Sequence, residues 1–377
     1  MNILAITNLY PNSFDPNRAS FNRQQFERLS DTHDMTVVIP ISWLDFIRSK
    51  RDKTYSSVLP CKLIPYFYIP GMFRSFNALF MFFSLLIFLF PYRLIFKSDV
   101  FLLSWAYPDA VAGTMLAKLF NKRTVCKIHG SDINMFAEDK FKRRLIVWAM
   151  KHASHVLSVS KALKNKLVGY GVSENKISVV YNGVNHDLFN IKDKAASRKS
   201  VGVDPNDNII LYVGNLKYAK GCIDLAEAYK SSQTENSQLI YIGTGECSSQ
   251  LKDYSQNLTE GKRIQLVGAV KHDVLNSWFN AADVVCLPSH NEGVPNILLE
   301  AFSSGVPSVA TNVGGIPEIF CDDCGKLVSL GDKNELTTAI DSVLMSNNNR
   351  KKISQHSEKF NWGNNIETVN KILGDII

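Results

Sequence analysis

The chain has 377 residues, which is too long for one ordinary hydrophobic core and fits two domains of about 150–200 residues each. Apolar residues make up 45% and charged residues 20%, a balance that excludes a largely disordered chain. Lysine and arginine outnumber the acids by 42 to 35, and this net charge of +7 suits anionic partners such as nucleotide diphosphates, lipid phosphates or a membrane surface. No long basic run is interleaved with aromatic residues, which disfavours nucleic acid as a partner.

In the first half of the chain, short apolar runs alternate with helical stretches. Runs rich in β-branched and aromatic residues predict the strands Asn2–Thr7, Met35–Ile39, Lys62–Tyr66, Val100–Ser104, Thr124–Ile128, Val156–Ser158 and Ile177–Val180. Helical periodicity predicts the helices Ser20–Leu29, Ala110–Phe120, Lys140–Lys151 and Lys161–Tyr170. This alternation predicts a parallel sheet with helices on both faces.

One stretch of the first half, residues 73–96, is strongly apolar. Its central part, Leu79–Phe90, is shorter than the roughly 20 residues of a spanning helix, and Arg74, Arg93 and Lys97 flank it. Two interpretations stay open. The stretch is either a buried helix of the first domain or a helix that dips into the bilayer surface with cations at the headgroups.

A polar segment at residues 189–207 predicts a linker between two domains, after which the alternation starts again. The second half predicts the strands Ile209–Val213, Leu239–Ile242, Ile264–Val267, Val284–Leu287, Ser308–Thr311 and Lys326–Val328. Its predicted helices are Cys222–Ser231, Ser248–Gln256, Val274–Asn280, Ile297–Ser303 and Glu335–Met345. The fold class is therefore α/β, with two doubly wound Rossmann-like domains at 1–188 and 208–360. Ligands of such sheets bind beyond the carboxyl ends of the strands, which predicts a cleft between the domains.

The seven cysteines are scattered, mostly through apolar strands, which predicts reduced thiols in a cytoplasmic protein. Cys321 and Cys324 form a CxxC pair, but no further ligand follows at short spacing, so no metal site is predicted. The first seven residues read as a strand rather than as a signal peptide, which also predicts a cytoplasmic location.

The segment Glu292–Glu300 carries the strongest functional pattern. It follows a buried strand, contains Gly293 for a tight turn, and continues after Pro295 into a predicted helix whose N-terminus attracts phosphate. A carboxylate accepts hydrogen bonds from hydroxyl groups but repels phosphate. Two carboxylates that flank an anion-binding turn therefore suit a sugar–diphosphate–ribose ligand. The alternative is a surface loop in which Glu292 is solvated and Glu300 pairs locally.

Two further segments combine a strand end with polar side chains. Tyr212–Gly221 is a strand followed by a glycine turn and Lys220, which alone fits a solvated lysine as well as a phosphate contact. Lys127–Asn134 places His129 and Asp132 at the carboxyl end of a strand in the first domain. A histidine and an aspartate at this position face the predicted cleft.

These motifs resemble the signature of retaining glycosyltransferases of the GT-B fold, family four (group 1), which include bacterial cell-surface polysaccharide glycosyltransferases. The resemblance is most specific in Ser289–Asn296, Glu300–Pro307 and Val313–Glu318. It is moderate at residues 104–134 and poor at 41–98. It also implies that the helix 361–377, which starts near Trp362, crosses back onto the first domain.

The resemblance implies specific roles for the matching residues. Glu292 would lie by the transferred sugar, Glu300 would hold the ribose, Lys220 would neutralise the diphosphate, and His129 would lie near the donor sugar and acceptor. Together with Lys220, the implied donor site comprises Gly214, Asn215, Gly243, Gly245, Val267, Gly268, Glu292, Gly293, Val294, Pro295, Asn296, Ile297 and Glu300. Asn215 stands where many relatives carry arginine. Ser20 and Asp132 are the implied acceptor contacts, and Ser20 replaces a common glycine.

The implied reaction is the transfer of a hexose, with retention, from a nucleotide sugar, with UDP the expected nucleotide. It needs neither a metal nor another cofactor. The expected acceptor is a glycan or a polyprenyl-diphosphate-linked glycan, with peripheral contact at the inner face of the cytoplasmic membrane. Two alternatives stay open: a nucleotide-sugar epimerase of the same fold, and a catalytically inactive membrane-associated scaffold, which the loss of arginine at Asn215 favours.

Overall fold

The computed structural model describes residues 1–12, 15, 18–49, 58–68, 74–91, 93–256 and 258–376. Residues 73 and 92 of the predicted apolar stretch lie outside these ranges. The chain divides into two compact units. The first unit comprises Met1–Tyr181 and Gly363–Ile377, and the second comprises Asn182–Trp362.

Both units are built on parallel sheets. The strands are β1 (Asn2–Ile6), β2 (Asp34–Ser42), β3 (Cys61–Tyr66), β4 (Val100–Ser104), β5 (Arg123–Ile128), β6 (His155–Ser158), β7 (Ile177–Val179), β8 (Asn208–Val213), β9 (Ser237–Ile242), β10 (Lys262–Gly268), β11 (Val284–Leu287), β12 (Ser308–Thr311) and β13 (Gly325–Val328). Their order is β3-β2-β1-β4-β5-β6-β7 in the first unit and β10-β9-β8-β11-β12-β13 in the second. Every strand predicted from the sequence is confirmed, and so is the α/β doubly wound class.

Helices connect the strands in both units. They are α1 (Ser20–Leu29), α2 (Trp43–Ser49), α3 (Asn77–Leu89), α4 (Leu94–Lys97), α5 (Val111–Leu119), α6 (Ser131–Asn134), α7 (Lys140–His152), α8 (Lys161–Gly169), α9 (Lys194–Val201), α10 (Cys222–Ser231), α11 (Ser248–Ser255), α12 (Leu275–Ala281), α13 (Asn296–Ser303), α14 (Ile316–Ile319), α15 (Lys333–Met345), α16 (Arg350–Ser357) and α17 (Trp362–Asp375). Among the described residues, no helix combines the length and the apolarity needed to cross a bilayer.

The sheet of the first unit is buried on both faces. Successive side chains of a strand point to opposite faces, so Leu4 and Ile6 of β1 join the core beneath α3, α5 and α7. Ile3 and Ala5 join the other core, which contains Phe26 of α1 and part of α17. This double burial explains why the strands read as continuous apolar runs in the sequence.

The segment 189–207, predicted as a linker, differs from that expectation because it contains α9 within the second unit. Its polar residues are used locally. The side chain of Asp193 caps α9 by accepting a hydrogen bond from the backbone N–H of Ala196. Arg198 is buried and donates to Asp283 at 2.6 Å. The chain instead passes between the units at Tyr181–Asn182 and returns at Trp362–Gly363.

The expectation of reduced cysteines is wrong for one pair, because Cys321 and Cys324 form a disulfide. The short helical turn Asp322–Cys324 brings their Cα atoms to 5.1 Å, within the range that a disulfide needs. The imidazole of His356 in α16 also lies beside the pair, with one ring nitrogen and the two Sγ atoms within 4.8 Å of one another. Sequence spacing missed this histidine because it follows the pair by more than thirty residues.

Candidate active site

In the second unit, the predicted donor segment lies at the switch point of the sheet. Strands β8 and β11 are neighbours there, and the connections from β8 and β11 leave toward opposite sides of the sheet. Loops at such a point diverge and leave a crevice beyond the carboxyl ends of the strands. The Lys220 loop follows β8, and the segment Glu292–Glu300 follows β11.

Tight turns bring the backbones of three strand ends together. The N–H of Gly214, after β8, donates to Ile242 at 2.9 Å, and the N–H of Gly243, after β9, donates to Gly268 of β10 at 2.8 Å. Gly243 has φ of 140°, and a Cβ there would overlap the carbonyl oxygen of Gly214. The glycines that the sequence assigned to the donor site therefore form one surface of main-chain groups.

A second loop supports the donor segment from behind. The N–H of Gly315 donates to the carbonyl of Gly293 at 2.8 Å. Gly314 has φ of 55°, and a side chain there would overlap the carbonyl of Glu292. Pro295 precedes the first residue of α13, so the helix begins at Asn296, and its first-turn N–H groups are directed toward the segment. The dipole and N–H groups of α13 make this end attractive to an anion.

Lys220 and Glu292 meet at this site. The ammonium of Lys220 donates to Oε1 of Glu292 at 2.6 Å, and the two side chains are 27% and 13% exposed. Their loops are joined by a hydrogen bond from the N–H of His290 to the carbonyl of Ala219 at 3.0 Å. The cation and the carboxylate thus neutralise each other at a partly exposed position beside the N-terminus of α13.

Glu300 lies one helix turn away from that N-terminus and has its own partner. It is buried, with 7% exposure, and its Oε1 lies 2.8 Å from Nε2 of His272, just after β10. The ring of His272 packs edge-on against Phe189 at 5.1 Å. Sequence reasoning missed His272. The available signal was its position shortly after Gly268, the glycine that follows the predicted strand Ile264–Val267.

Asn215, which stands where arginine is usual, is exposed in the turn after β8. Its carbonyl accepts a hydrogen bond from the hydroxyl of Tyr212 at 2.9 Å, so the turn is fixed by the main chain. Lys217, two residues later, is also exposed. The turn therefore keeps its shape without the arginine, and a cation remains nearby in the sequence.

In the first unit, His129 follows β5 and is held on several sides. Its Nε2 lies 2.8 Å from the hydroxyl of Ser104, and that hydroxyl donates to Asn22 at 3.0 Å. Because Ser104 has one proton to donate, Nε2 of His129 carries its own proton, and Nδ1 is the unprotonated nitrogen. The rings of Phe21 and Trp105 lie 4.9 Å and 6.1 Å from the imidazole.

Burial and a neighbouring cation set the charge of His129. Burial, followed by the charge of Lys127, lowers the pKa of His129 well below its usual value, so the imidazole is neutral near pH 7. Lys127 is itself fully buried, and its ammonium donates to Gln25 at 2.8 Å. Burial lowers the pKa of Lys127 to about 7. Gln25 in turn donates to Asn365 of α17 at 2.6 Å.

Asp132, the residue implied to contact the acceptor, is fully buried and its carboxylate is engaged by main-chain N–H groups. Its Oδ1 accepts from the N–H groups of Gly130 and Ile133, and its Oδ2 accepts from Ala106. It also accepts from the N–H of His129 at 3.1 Å. A short carboxylate side chain satisfies several main-chain donors of one tight turn in this way. Asp132 therefore positions the loop that carries His129.

Ser20, the other implied acceptor contact, is the first residue of α1 and precedes Phe21 at the imidazole. A cavity of about 250 Å³ lies near this end of the sheet, beyond β1, β2 and β3. Its polar and aromatic lining includes Asn8, Asn12, Arg18, Asp45, Tyr66 and Tyr68.

The buried Asp109 stands behind this cavity and accepts from the N–H of Asn8 at 3.0 Å. Burial raises the pKa of Asp109 to about 8, so this carboxyl is neutral near pH 7.

Comparison with known proteins identifies the family. The model for "Glycosyl transferases group 1" matches residues 193–360, and the model for "Glycosyltransferase Family 4" matches residues 27–188. An uncharacterized glycosyltransferase of Methanocaldococcus jannaschii is 30% identical over 276 residues, which cover 68% of this chain and 71% of that protein.

The chain belongs to the group 1, family 4 glycosyltransferases.

Other relatives agree with this family. A putative teichuronic acid biosynthesis glycosyltransferase of Bacillus subtilis is 29% identical over 343 residues, which cover 85% of this chain and 83% of that protein. The crystal structure of Anabaena HepE in complex with UDP matches the whole of both chains, with a TM-score of 0.78 and 18% identity. At this identity the structural match shows the fold, and the predicted GT-B fold is confirmed.

For this group 1 glycosyltransferase, the structure brings the predicted residues together within each unit. In the second unit, Lys220 pairs with Glu292, and main-chain hydrogen bonds join the turns after β8 and β9 to Ile242 and Gly268. In the donor segment, Val294 and Pro295 are buried, and Asn296 and Ile297 are partly buried. In the first unit, Ser20 and His129 lie at the same end of the sheet. The residues that sequence reasoning missed are buried or aromatic partners of these groups: Phe21, Asn22, Ser104, Trp105, Asp109, Lys127 and His272.

Proposed function

We propose that the protein transfers a sugar from a nucleotide-diphosphate donor, with UDP as the nucleotide, to a glycan acceptor. The observation that supports this most strongly is the pairing of Lys220 with Glu292 beside the N-terminus of α13, one helix turn from the buried Glu300. A diphosphate needs the cation and the N–H groups, and the sugars on its two sides need hydroxyl acceptors. The crevice offers these groups in that order.

The chemistry of the leaving group assigns Lys220 its role. Breaking the bond between the anomeric carbon and the diphosphate leaves negative charge on phosphate and positive charge on the sugar ring. In the free protein Lys220 is neutralised by Glu292, and a bound diphosphate would take over part of its hydrogen bonding. Lys220 and the N–H groups of α13 then stabilise the leaving group, as a preorganised site does. Glu292 is released toward the hydroxyl groups of the transferred sugar.

Glu300 and His272 would hold the ribose. The carboxylate of Glu300 has an acceptor oxygen for each of two ligand hydroxyl groups, and His272 fixes its orientation at 2.8 Å. UDP is proposed as the nucleotide because the solved structure of similar fold, Anabaena HepE, was determined with UDP.

Retention of the anomeric configuration and independence from metals complete the proposal. The acceptor hydroxyl would attack on the face of the leaving group, and a donor phosphate oxygen would take its proton, so that no protein base is needed. Lys220 supplies positive charge at the diphosphate. The neutral His129 donates its Nε2 proton to the hydroxyl of Ser104. Its Nδ1 can therefore accept a hydrogen bond from a hydroxyl group of the donor sugar or of the acceptor substrate.

The proposed acceptor is a glycan on a polyprenyl-diphosphate carrier, built during polysaccharide biosynthesis at the inner membrane face. The relative from Bacillus subtilis bears the name of teichuronic acid biosynthesis, which supports a polysaccharide product. The cavity beyond β1, β2 and β3 supports a sugar acceptor, because amide, carboxylate and tyrosine side chains together suit carbohydrate binding.

A screen of UDP- and GDP-sugars for protection against heat unfolding tests this proposal. We expect UDP-sugars to raise the melting temperature of the wild type and of Glu260→Gln, an exposed control, but much less that of Glu300→Gln. Transfer is then measured with the protecting donor and a lipid-linked glycan. Conversion of the donor to an isomer without acceptor would identify an epimerase, and no protection by any nucleotide sugar would identify a scaffold.

A further inference from the structure

Helix α3 has two faces with opposite environments. Ala78, Met81, Leu85 and Leu89 are buried in the core of the first unit. The opposite side presents five large apolar side chains to solvent, and we call this the α3 face: Phe76, Leu79, Phe83, Ile87 and Phe90. Spacings of three and four residues place Leu79, Phe83, Ile87 and Phe90 along one line of the helix, and Phe76 precedes it in a short 3-10 turn. One side of the helix is therefore buried, as the first interpretation of the apolar stretch predicts, and the other side is exposed.

The α3 face is long and strongly exposed. Phe83 is 50% exposed and Ile87 is 64% exposed, although both are large apolar side chains. From Leu79 to Phe90 the helical rise gives a length of about 17 Å. Aromatic contacts extend the surface at both ends. The ring centroids of Phe76 and Phe141 of α7 are 5.9 Å apart, and those of Phe90 and Phe96 of α4 are 5.7 Å apart. A continuous exposed apolar stripe of this kind marks an interaction surface.

The surrounding helices carry only positive charge. Helix α3 packs on α5, and α5 packs on α7. The sequences of α3, α4, α5 and α7 contain no aspartate or glutamate, and they contain seven cations: Lys97, Lys118, Lys140, Lys142, Arg143, Arg144 and Lys151. The acids closest to α7 in sequence are Glu138 and Asp139, and Asp139 is the N-cap of α7 and pairs with Lys142 at 3.5 Å. Lys97 and Lys140 are exposed beside the two ends of the α3 face.

We propose that the α3 face, with the cations of α4, α5 and α7, docks the protein on a bilayer that contains anionic phospholipids. A helix that lies in the interface buries its apolar face at the acyl boundary and keeps its cations at the headgroups. A second copy of the chain is the poorer occupant, because a symmetric contact through the stripe would bring two like-charged surfaces together. The inference rests on the proposed function, in which the acceptor is carried by a membrane lipid.

Sedimentation with vesicles tests the docking surface. We expect the protein to bind vesicles of phosphatidylcholine with 30% phosphatidylglycerol, and to bind pure phosphatidylcholine vesicles at least tenfold more weakly. Binding should weaken as salt is raised, with about a fivefold loss for each cation removed in Lys97→Gln and Lys140→Gln. Phe83→Glu and Ile87→Glu should each abolish it, whereas Met345→Glu, an exposed apolar position of the second unit, should bind like the wild type.

Three results would overturn the inference. They are equal binding to both vesicle types, normal binding by Phe83→Glu and Ile87→Glu, and a wild-type dimer that Ile87→Glu converts to a monomer. Protection by UDP, measured on the same variants, separates this inference from the proposed function. If a variant no longer binds vesicles but UDP still protects it against heat unfolding, only the docking surface has been lost and the donor site is intact. If the protein binds vesicles but UDP does not protect it, the proposed function is contradicted and the docking surface is not.

Discussion

The buried ammonium of Lys127 makes the stability of the first unit depend on pH. Burial lowers its pKa from 10.5 to about 7, so in this interval the folded chain has released a proton that the unfolded chain still holds. Stability therefore rises with pH across the interval, by about 1.4 kcal/mol per pH unit for one proton. Below the folded pKa both states hold the proton, and the cost of burying the charge is constant.

The variant Lys127→Met removes this titration. From about pH 7.5 to about pH 9.5, the wild type should gain about 2.5 kcal/mol of unfolding free energy relative to the variant. For a unit of 196 residues this corresponds to about 5 °C in melting temperature. Thermal unfolding followed by circular dichroism measures the difference, with Lys252→Met on the exposed side of α11 as the control. If the difference in melting temperature between the wild type and Lys127→Met stays constant over this pH range, Lys127 does not have the lowered pKa that its burial implies.

Three further predictions concern the candidate active site. Glu300→Gln should weaken the binding of UDP about tenfold and that of 2′,3′-dideoxy-UDP much less, because the carboxylate is proposed to bind the ribose hydroxyl groups. Calorimetry that finds the same loss of affinity for both nucleotides would contradict that role. His129→Gln should lower kcat about 100-fold with little change in the donor KM. The rate of the wild type should show no histidine titration between about pH 6 and 8, because the pKa of His129 is well below its usual value. Asp132→Asn should lower the unfolding free energy by about 1–3 kcal/mol without a selective rise in the KM for the acceptor, because the carboxylate of Asp132 binds main-chain N–H groups. A stable variant whose only change is a raised KM for the acceptor would show that Asp132 contacts the acceptor.

The sheet could be predicted because its strands are buried on both faces. Val284–Leu287 and Ser308–Thr311 are continuous apolar or β-branched runs bounded by turn residues, and both have the predicted bounds. The turns after β8, β9 and β10 could also be predicted, because Gly214, Gly243 and Gly268 follow the predicted strands and adopt positive φ angles that other residues rarely adopt. The family resemblance then assigned Lys220 and Glu292, which the structure places in contact.

The remaining features depend on contacts between residues distant in sequence. Helix α9 looked like a linker because its charges are satisfied by Asp283, about 85 residues later. His272 could not be tied to Glu300 from spacing, and the burial of Asp132 depends on the close approach of Ala106. Such long-range pairing of polar groups leaves no periodic signal in the sequence.

Calorimetric titration of UDP into the wild type and Lys220→Ala tests the central claim most directly. Losing a charge-assisted hydrogen bond to the diphosphate, and removing the cation that pairs with Glu292, should weaken UDP binding about 10- to 100-fold. Lys252→Ala, which removes an exposed cation of the same unit, should bind UDP like the wild type. Equal affinity of the wild type and Lys220→Ala for UDP would contradict a diphosphate site at Lys220 and Glu292.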